Sequence, residues 1–468
     1  MKKTTLCFML LTLIASFAIN AQSLVATTIK GTVTNPDREF MLLRYRDQLD
    51  TLKLDAVGNF SRTIKLNRGE ECRILNNKIT LKLYVLPGDE LTANFDAKAM
   101  KDPGEFSGKS TAYCNYYKTA ATLDAQLMRN TSSKVLAMKS PQRVMEIEDS
   151  VMKVRTATLE GYVKANSLNE DFRNYMAEAI TYQCMGEMAT YRATAANFKS
   201  EAFVEERIAM DKKLASVKMN NAEILYSEHY QMFARTMIGG NVSQTMILDT
   251  PEDLPDFYLA QMDETIKLMT TQEVLDYILK EIMMEAMREA GTQDISAVMQ
   301  RLEEHNKNEP MKKRVRKVWA QYDAIQPGRT CPAIECYDAT GNTFTMNSFN
   351  GKAVYIDVWA TWCGPCKKEI PHLKTLEEHY HGQNIEFVSI STDQEVQKWK
   401  DFLLLTPMSG TQLHQSDDVE KTISKHFIIN SIPRFILINE EGKIVSSNAP
   451  RPSSGETLHA LIDSVLND

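Results

Sequence analysis

The sequence is short of most features that mark a specialised chain, and each shortage excludes something. It holds 19 Gly and 15 Pro in 468 residues, too few for a collagen-like or wholly disordered chain. Charge of neither sign dominates: Lys+Arg 54 against Asp+Glu 61 leaves −7 at pH 7. A nucleic-acid binder carries a basic footprint that is missing here, so nucleic acid is not an expected partner. The eight histidines show no metal-ligand spacing, and no metal is expected. Eight cysteines are too sparse for a disulfide scaffold. No apolar run reaches the ~20 residues that a membrane-crossing helix needs.

The nearest such run is Leu6–Ile19, 14 residues behind Lys2 and Lys3 and followed by the small Ala21. A charged start, a short apolar stretch and a small residue predict a secretory signal peptide over residues 1–21. Cys7 lies inside the run rather than at its end, which argues against lipidation there. The expectation is an exported chain in the periplasm or cell envelope, where seven cysteines remain and at least one thiol stays without an intrachain partner.

Apolar residues make up 43% and charged residues 25%, an ordinary globular balance, and at ~150 residues per domain the length allows about three domains. The pattern predicts a multidomain chain. Residues 22–108 alternate in the manner of strands, as in Leu81, Leu83 and Val85, and then Leu91, Ala93 and Phe95. Asn35-Pro36, Gly58-Asn59 and Pro87-Gly88-Asp89 punctuate them as turns, so an antiparallel β-sandwich or barrel is expected. Over 109–323 the period becomes helical, with faces such as Val144, Ile147, Val151 and Val154. Six to eight helices of an all-α domain are expected. Thr270 with Glu273 has capping-box spacing, and Pro310 suits the first turn of a last helix. Gln326-Pro327-Gly328 reads as a linker into 324–468, where the order β-α-β-α-(α)-β-β-α predicts an α/β sheet with a C-terminal hairpin.

Chemistry concentrates at Trp362-Cys363-Gly364-Pro365-Cys366-Lys367, between a buried strand and a helix. Two intervening residues let both sulfurs lie on the first helical turn. The partial positive charge and free N–H groups of a helix N-terminus stabilise a thiolate on Cys363. A pKa brought from ~8.5 toward ~7 leaves about half the thiol reactive at neutral pH. Cys363 is therefore the expected nucleophile toward a disulfide, and Cys366 the residue that resolves the mixed disulfide. No cofactor is needed beyond this redox-active disulfide.

The segment Val354–Pro371 resembles the active-site segment of thioredoxins, and more closely that of the exported TlpA/ResA-like thiol-disulfide oxidoreductases. The likeness covers about 329–468 and implies an α/β thioredoxin fold there. It implies that Ile432-Pro433, before the strand at Phe435, is a loop with a cis proline facing the dithiol, and that Pro371 kinks the helix. Asp357 matches the buried aspartate that exchanges a proton with the resolving cysteine, and Glu369 matches a glutamate that serves similarly in ResA-like reductases. The plainer readings are a satisfied buried carboxyl for Asp357 and a solvated helix face for Glu369. Arg434 departs from the usual Thr after the proline. It either stabilises the thiolate and selects acidic partners, or lies exposed on a strand edge. With Trp362 and Ile432 it completes the expected substrate-binding set.

Gly-Pro between the cysteines resembles reducing thioredoxins, whose potential lies about 150 mV below that of strong oxidants, about 7 kcal/mol of disulfide stability. The expected direction is reduction of disulfides in exported proteins, recharged by a membrane electron donor that the resemblance implies. Rival readings exist. Cys331 and Cys336 with the second pair loosely resemble a zinc ribbon, but ~16 Å of extended strand separates the first two. The Pro and Thr of a peroxiredoxin are missing before Cys363. A third reading is a cell-envelope binding or scaffold protein whose thioredoxin-like module carries no redox activity. Of 25 Met, 19 lie between Met128 and Met311. Met185, Met188, Met283 and Met287 read as helix core. Lys312, Lys313, Arg314, Arg316 and Lys317 read as a surface face, and Cys72, Cys114, Cys184 and Cys336 as buried thiols. The helices are read as a surface for positioning substrate or for pairing with a second copy in a homodimer.

Overall fold

The computed structural model describes residues 23–36, 39–76, 80–99, 104–246, 248, 250, 253–292 and 294–467. The expected leader at 1–21 lies outside them. The chain packs as two compact units, one formed by residues up to Thr245 with Leu268–Val274, the other by Met246–Lys267 with Leu275–Asp468. Their boundary falls inside the helical stretch.

The first unit begins with two four-stranded sheets. One runs in the order Asn59–Leu66, Val25–Thr34, Glu90–Asp96, Glu105–Ser107, and the other Gln48–Lys53, Phe40–Tyr45, Glu70–Leu75, Thr80–Val85. Alternate residues of both enclose one core, including Ile29, Leu43, Ile64, Ile74, Leu83 and Leu91. This is the expected sandwich with one difference. Val25–Thr34 pairs antiparallel with Asn59–Leu66 but parallel with Glu90–Asp96; the chain passes through the second sheet twice, before and after Asn59–Leu66, and returns on the other side of Val25–Thr34.

Helices follow, and 109–323 contains nine longer than one turn among the described residues, with one-turn helices at Ser133–Leu136 and Ala196–Lys199. Sheet and helices of this unit are joined by buried charge. Arg73 pairs with Glu71 at 2.7 Å and Glu228 at 3.3 Å, and Lys82 also pairs with Glu228. Tyr117 donates to Glu71 at 3.1 Å.

Several local expectations needed correction. On the helix Pro141–Asn166 the buried face runs through Val144, Glu148, Val151, Arg155 and Leu159, and Val154 is exposed. Apolar periodicity missed this face because two of its members are charged. The Thr270 capping box is absent: the helix starts at Gln272, and the N–H groups of Thr270 and Thr271 go to Asn220 Oδ1 at 2.7 and 3.1 Å. Lys312 is buried rather than on the surface. It stands between Met311 and Val315, so its stem is covered while its ammonium reaches Glu309 at 2.5 Å. Met185, Met188, Met283 and Met287 are core, and Pro310 opens Glu309–Asp323 behind an Asn308 cap.

The second unit carries a seven-stranded sheet in the order Thr343–Thr345, Glu335–Tyr337, Thr411–Gln415, Ile385–Ser391, Ala353–Trp359, Arg434–Ile438, Ile444–Ser446. The central strand, parallel to Ile385–Ser391 and antiparallel to Arg434–Ile438, is buried along its whole length. Thr411–Gln415 escaped the sequence reading because only Leu413 and His414 of its five residues are buried. The expected linker is pinned: Gly328 N donates to Ile444 O at 2.8 Å, and Ile325 joins the core on one face of the sheet. No helix among the described residues is long and apolar enough to cross a membrane.

Glu148 generates a prediction. Burial first, then the carboxylate of Glu187 beside it, pushes Glu148 above the usual carboxylate range, while Arg155 pulls the other way. The folded state therefore holds this proton more tightly than the unfolded chain, and stability is lost as pH rises above the ordinary carboxylate range. Glu148→Gln should raise the melting temperature at pH 8 by several degrees, at about 2–4 °C per kcal/mol, and change it little at pH 5. Equal shifts at both pH values would contradict this.

Candidate active site

The central strand ends at Trp359, and the helix Gly364–His379 begins after only four residues. Within that turn Cys363 N donates to Ala360 O at 3.0 Å. Cys363 is the N-cap of the helix, and its Sγ accepts the N–H of Cys366 at 3.1 Å. The two cysteines form a disulfide with their Cα atoms 5.3 Å apart. Pro365 sits in the first turn, where its missing N–H costs nothing. Free backbone donors at this end favour negative charge on a sulfur placed there.

The sulfurs are sheltered: Cys363 is 4% and Cys366 2% exposed, whereas Trp362 is 70% exposed. Both cysteines share an apolar cluster with Trp359, Ala360 and Trp399, bordered by Phe402, Met408 and Ile432. The Ile432–Pro433 bond is cis. The structure thus brings Ile432 to the cysteines and leaves Trp362 open beside them.

Asp357 and Glu369 are both buried. Asp357 lies on the sheet face shared by Tyr355 and Phe435, on the side of the helix that carries Glu369. Burial, then the charges of Glu369 and Glu377, pushes Asp357 up to about 8, and its cross-strand neighbour Ser389 pulls the other way. Its Oδ1 accepts no hydrogen bond, so Asp357 is not a fully satisfied carboxyl. Glu369 does not lie on a solvated helix face. It accepts from Ser453 N at 3.0 Å and Ser453 Oγ at 2.9 Å. Arg434 is not the exposed residue of the plainer reading. It is half-buried, donates to Ser447 O at 3.3 Å, and burial lowers its pKa while Tyr322 and Glu289 oppose the shift. No hydrogen bond or ion pair joins it to the cysteines.

The other described cysteines are free thiols. Cys331 and Cys336 are free and belong to the core on the opposite face of the sheet. Burial pushes Cys114, Cys184, Cys331 and Cys336 up to about 12. The sequence reading missed Asp393, whose carboxylate meets the turn before Cys363. Its signal was a Ser-Thr-Asp run closing the strand next to the central one, since loops at the carboxyl ends of parallel strands build sites in α/β sheets.

Residues 350–444 match the thioredoxin-like family model. The chain is 27% identical over 150 residues to the thiol-disulfide oxidoreductase ResA of Bacillus subtilis, covering 32% of this chain and 79% of that one. A crystal structure of a candidate thiol-disulfide oxidoreductase from Bacteroides vulgatus is 42% identical, covering 31% of this chain and 99% of that one, with a TM-score of 0.29. The thioredoxin domain of another Bacteroides vulgatus thiol-disulfide oxidoreductase is 29% identical over 30% of this chain and 99% of that one, at a TM-score of 0.28. The C-terminal region is thioredoxin-like, and its relatives are thiol-disulfide oxidoreductases of the ResA type. Strand-rich and helical regions precede that thioredoxin-like region in a multidomain chain.

Glu369 supplies a test of the site's support. Ser453→Ala removes one of its two donors and leaves a buried carboxylate under-satisfied, which should cost ~1–2 kcal/mol in urea unfolding of the oxidised protein. A parental midpoint and slope would show that the bond contributes nothing.

Proposed function

We propose that this protein is an exported reductase of protein disulfides acting in the periplasm or cell envelope. The observation that carries the reading is the Cys363–Cys366 disulfide at a helix N-terminus, with Cys363 Sγ facing the N–H of Cys366. In the reduced protein the Cys363 thiolate attacks one sulfur of a client disulfide. A Cys363–client bond forms, the client bond breaks, and the second client sulfur leaves as a thiolate. Cys366 then loses its proton and attacks Cys363, closing the disulfide and releasing the first client sulfur. Two electrons pass from the dithiol to the client, and both client thiolates take up protons. A dithiol donor, membrane-borne in this reading, restores the pair.

Asp357 is the acceptor proposed for the Cys366 proton, its elevated pKa suiting it to exchange protons near neutrality. Glu369, held by Ser453, keeps a second carboxyl on the same side. Trp362, Ile432, Pro433 and Arg434 are the residues proposed to border a bound client backbone, Ile432 packing on the cysteine cluster and Trp362 standing exposed. The clients are exported proteins with accessible disulfides, and the helical region serves to present them or to join two copies as a homodimer.

Two measurements test this reading. In dithiothreitol-driven reduction of insulin, Cys363→Ser should lose the catalysed rate, and parental activity would refute the nucleophile. Closure of the pre-formed mixed disulfide, followed by stopped flow, should rise about tenfold per pH unit and level off above about 8 as Asp357 loses its proton. Asp357→Asn should flatten that profile. An unchanged profile would remove Asp357 from the proton path.

A further inference from the structure

The turn that carries Cys363 is held from outside its own strand and helix. Asp393, buried just past the end of Ile385–Ser391, accepts from Thr361 N at 2.9 Å and from Thr361 Oγ1 at 2.7 Å. Ser391 Oγ donates to the same carboxylate at 2.8 Å. One residue back, Thr392 N and Thr392 Oγ1 donate to Trp359 O at 2.8 and 3.2 Å. Four hydrogen bonds thus fasten residues 392 and 393 to residues 359 and 361, two positions short of the cysteine.

The clamp is itself anchored. His414 Nε2 lies 2.6 Å from Asp393 O, and its Nδ1 lies 2.9 Å from Gln415 O. The imidazole rests against Trp399, 5.5 Å between ring centroids. Trp399 belongs to the apolar cluster that contains both cysteines. The chain of contacts therefore runs from the neighbouring strand through Asp393 to the turn, and through Trp399 back to the sulfurs. A buried carboxylate with three donors is a rigid fixture, and it is fixed to the one segment whose shape decides where the Cys363 sulfur sits over the helix N–H groups.

We propose that Asp393 is a positioning residue for the dithiol: through Thr361 it holds the Trp359–Cys363 turn in the register that places the Cys363 sulfur at the helix N-terminus. This rests on Cys363 being the nucleophile. Two effects of Asp393 on that sulfur have opposite signs. As a nearby negative charge it would raise the thiol pKa, so removing the charge would lower it. As a clamp it keeps the sulfur against the helix donors, so releasing it raises the pKa and slows attack.

The test uses the reduced full-length protein and its Asp393→Asn, Thr361→Val, Thr361→Ser and Cys363→Ser variants. The pH midpoint of Cys363 alkylation by iodoacetamide and the rate of insulin reduction are measured for each, with melting curves to establish folding. Asp393→Asn should move the alkylation midpoint upward and cut insulin reduction roughly tenfold, the scale of a small misplacement of a reacting group. Thr361→Val should move both in the same direction by less, and Thr361→Ser, which keeps the hydroxyl, should restore parental values. A downward midpoint in Asp393→Asn, or parental values in folded Asp393→Asn and Thr361→Val, would overturn the inference. If Asp393→Asn does not fold, Thr361→Val decides alone. Retained activity in Cys363→Ser would instead remove the nucleophile assignment on which the inference rests. Loss there with parental clamp variants would sink the clamp and spare the nucleophile.

Discussion

Everything at this site depends on how little chain separates a buried strand from the helix it feeds. Four residues lie between Trp359 and Gly364. In that space the backbone leaves the sheet, turns on the Cys363 N–H to Ala360 O bond and starts the helix with a sulfur as its cap. A longer connection would let the first cysteine wander from the second. The strand supplies the fixed end because it lies inside the sheet, paired on both sides and buried throughout.

Around that junction polar groups are distributed unequally. Three carboxyls, Asp357, Glu369 and Glu377, come together between this face of the sheet and the active-site helix, beside a largely apolar cluster. Burying carboxyls is unfavourable unless each is bonded or neutral. Glu369 is bonded to Ser453, while Asp357 has an unpartnered oxygen and a raised pKa. Two chemically similar buried groups thus differ in their hydrogen bonding: Glu369 holds two donors, and Asp357 leaves one oxygen without a partner. Beyond the carboxyl ends of the strands, Asp393 is hydrogen-bonded as Glu369 is, with three donors.

Much of this was legible in the sequence. The central strand, the Cys-Gly-Pro-Cys turn, its helix and the hairpin Arg434–Ile438 with Ile444–Ser446 declared themselves through continuous apolar runs and turn residues. What was hidden was hidden for physical reasons. Thr411–Gln415 has the composition of a loop and becomes a strand only because its neighbour Ile385–Ser391 offers an open edge. Glu148 and Arg155 occupy a helix face that hydrophobic periodicity cannot reveal. The burial of Glu369 depends on Ser453, 84 residues away, and no local pattern carries such a pairing. The strand was expected to begin at Phe435 and begins one residue earlier, at Arg434, whose half-buried guanidinium feels Tyr322 and Glu289 from helices far earlier in the chain.

The central claim, that one sulfur attacks and its neighbour releases, is tested most directly by stopping the reaction between the two events. Reduced full-length Cys366→Ala, mixed with a peptide carrying a single disulfide, should accumulate a one-to-one covalent adduct. Intact-mass measurement followed by peptide mapping should place it on Cys363, and the parent should retain none. An adduct on Cys331 or another thiol, or no adduct while the parent still reduces the peptide, would contradict the account.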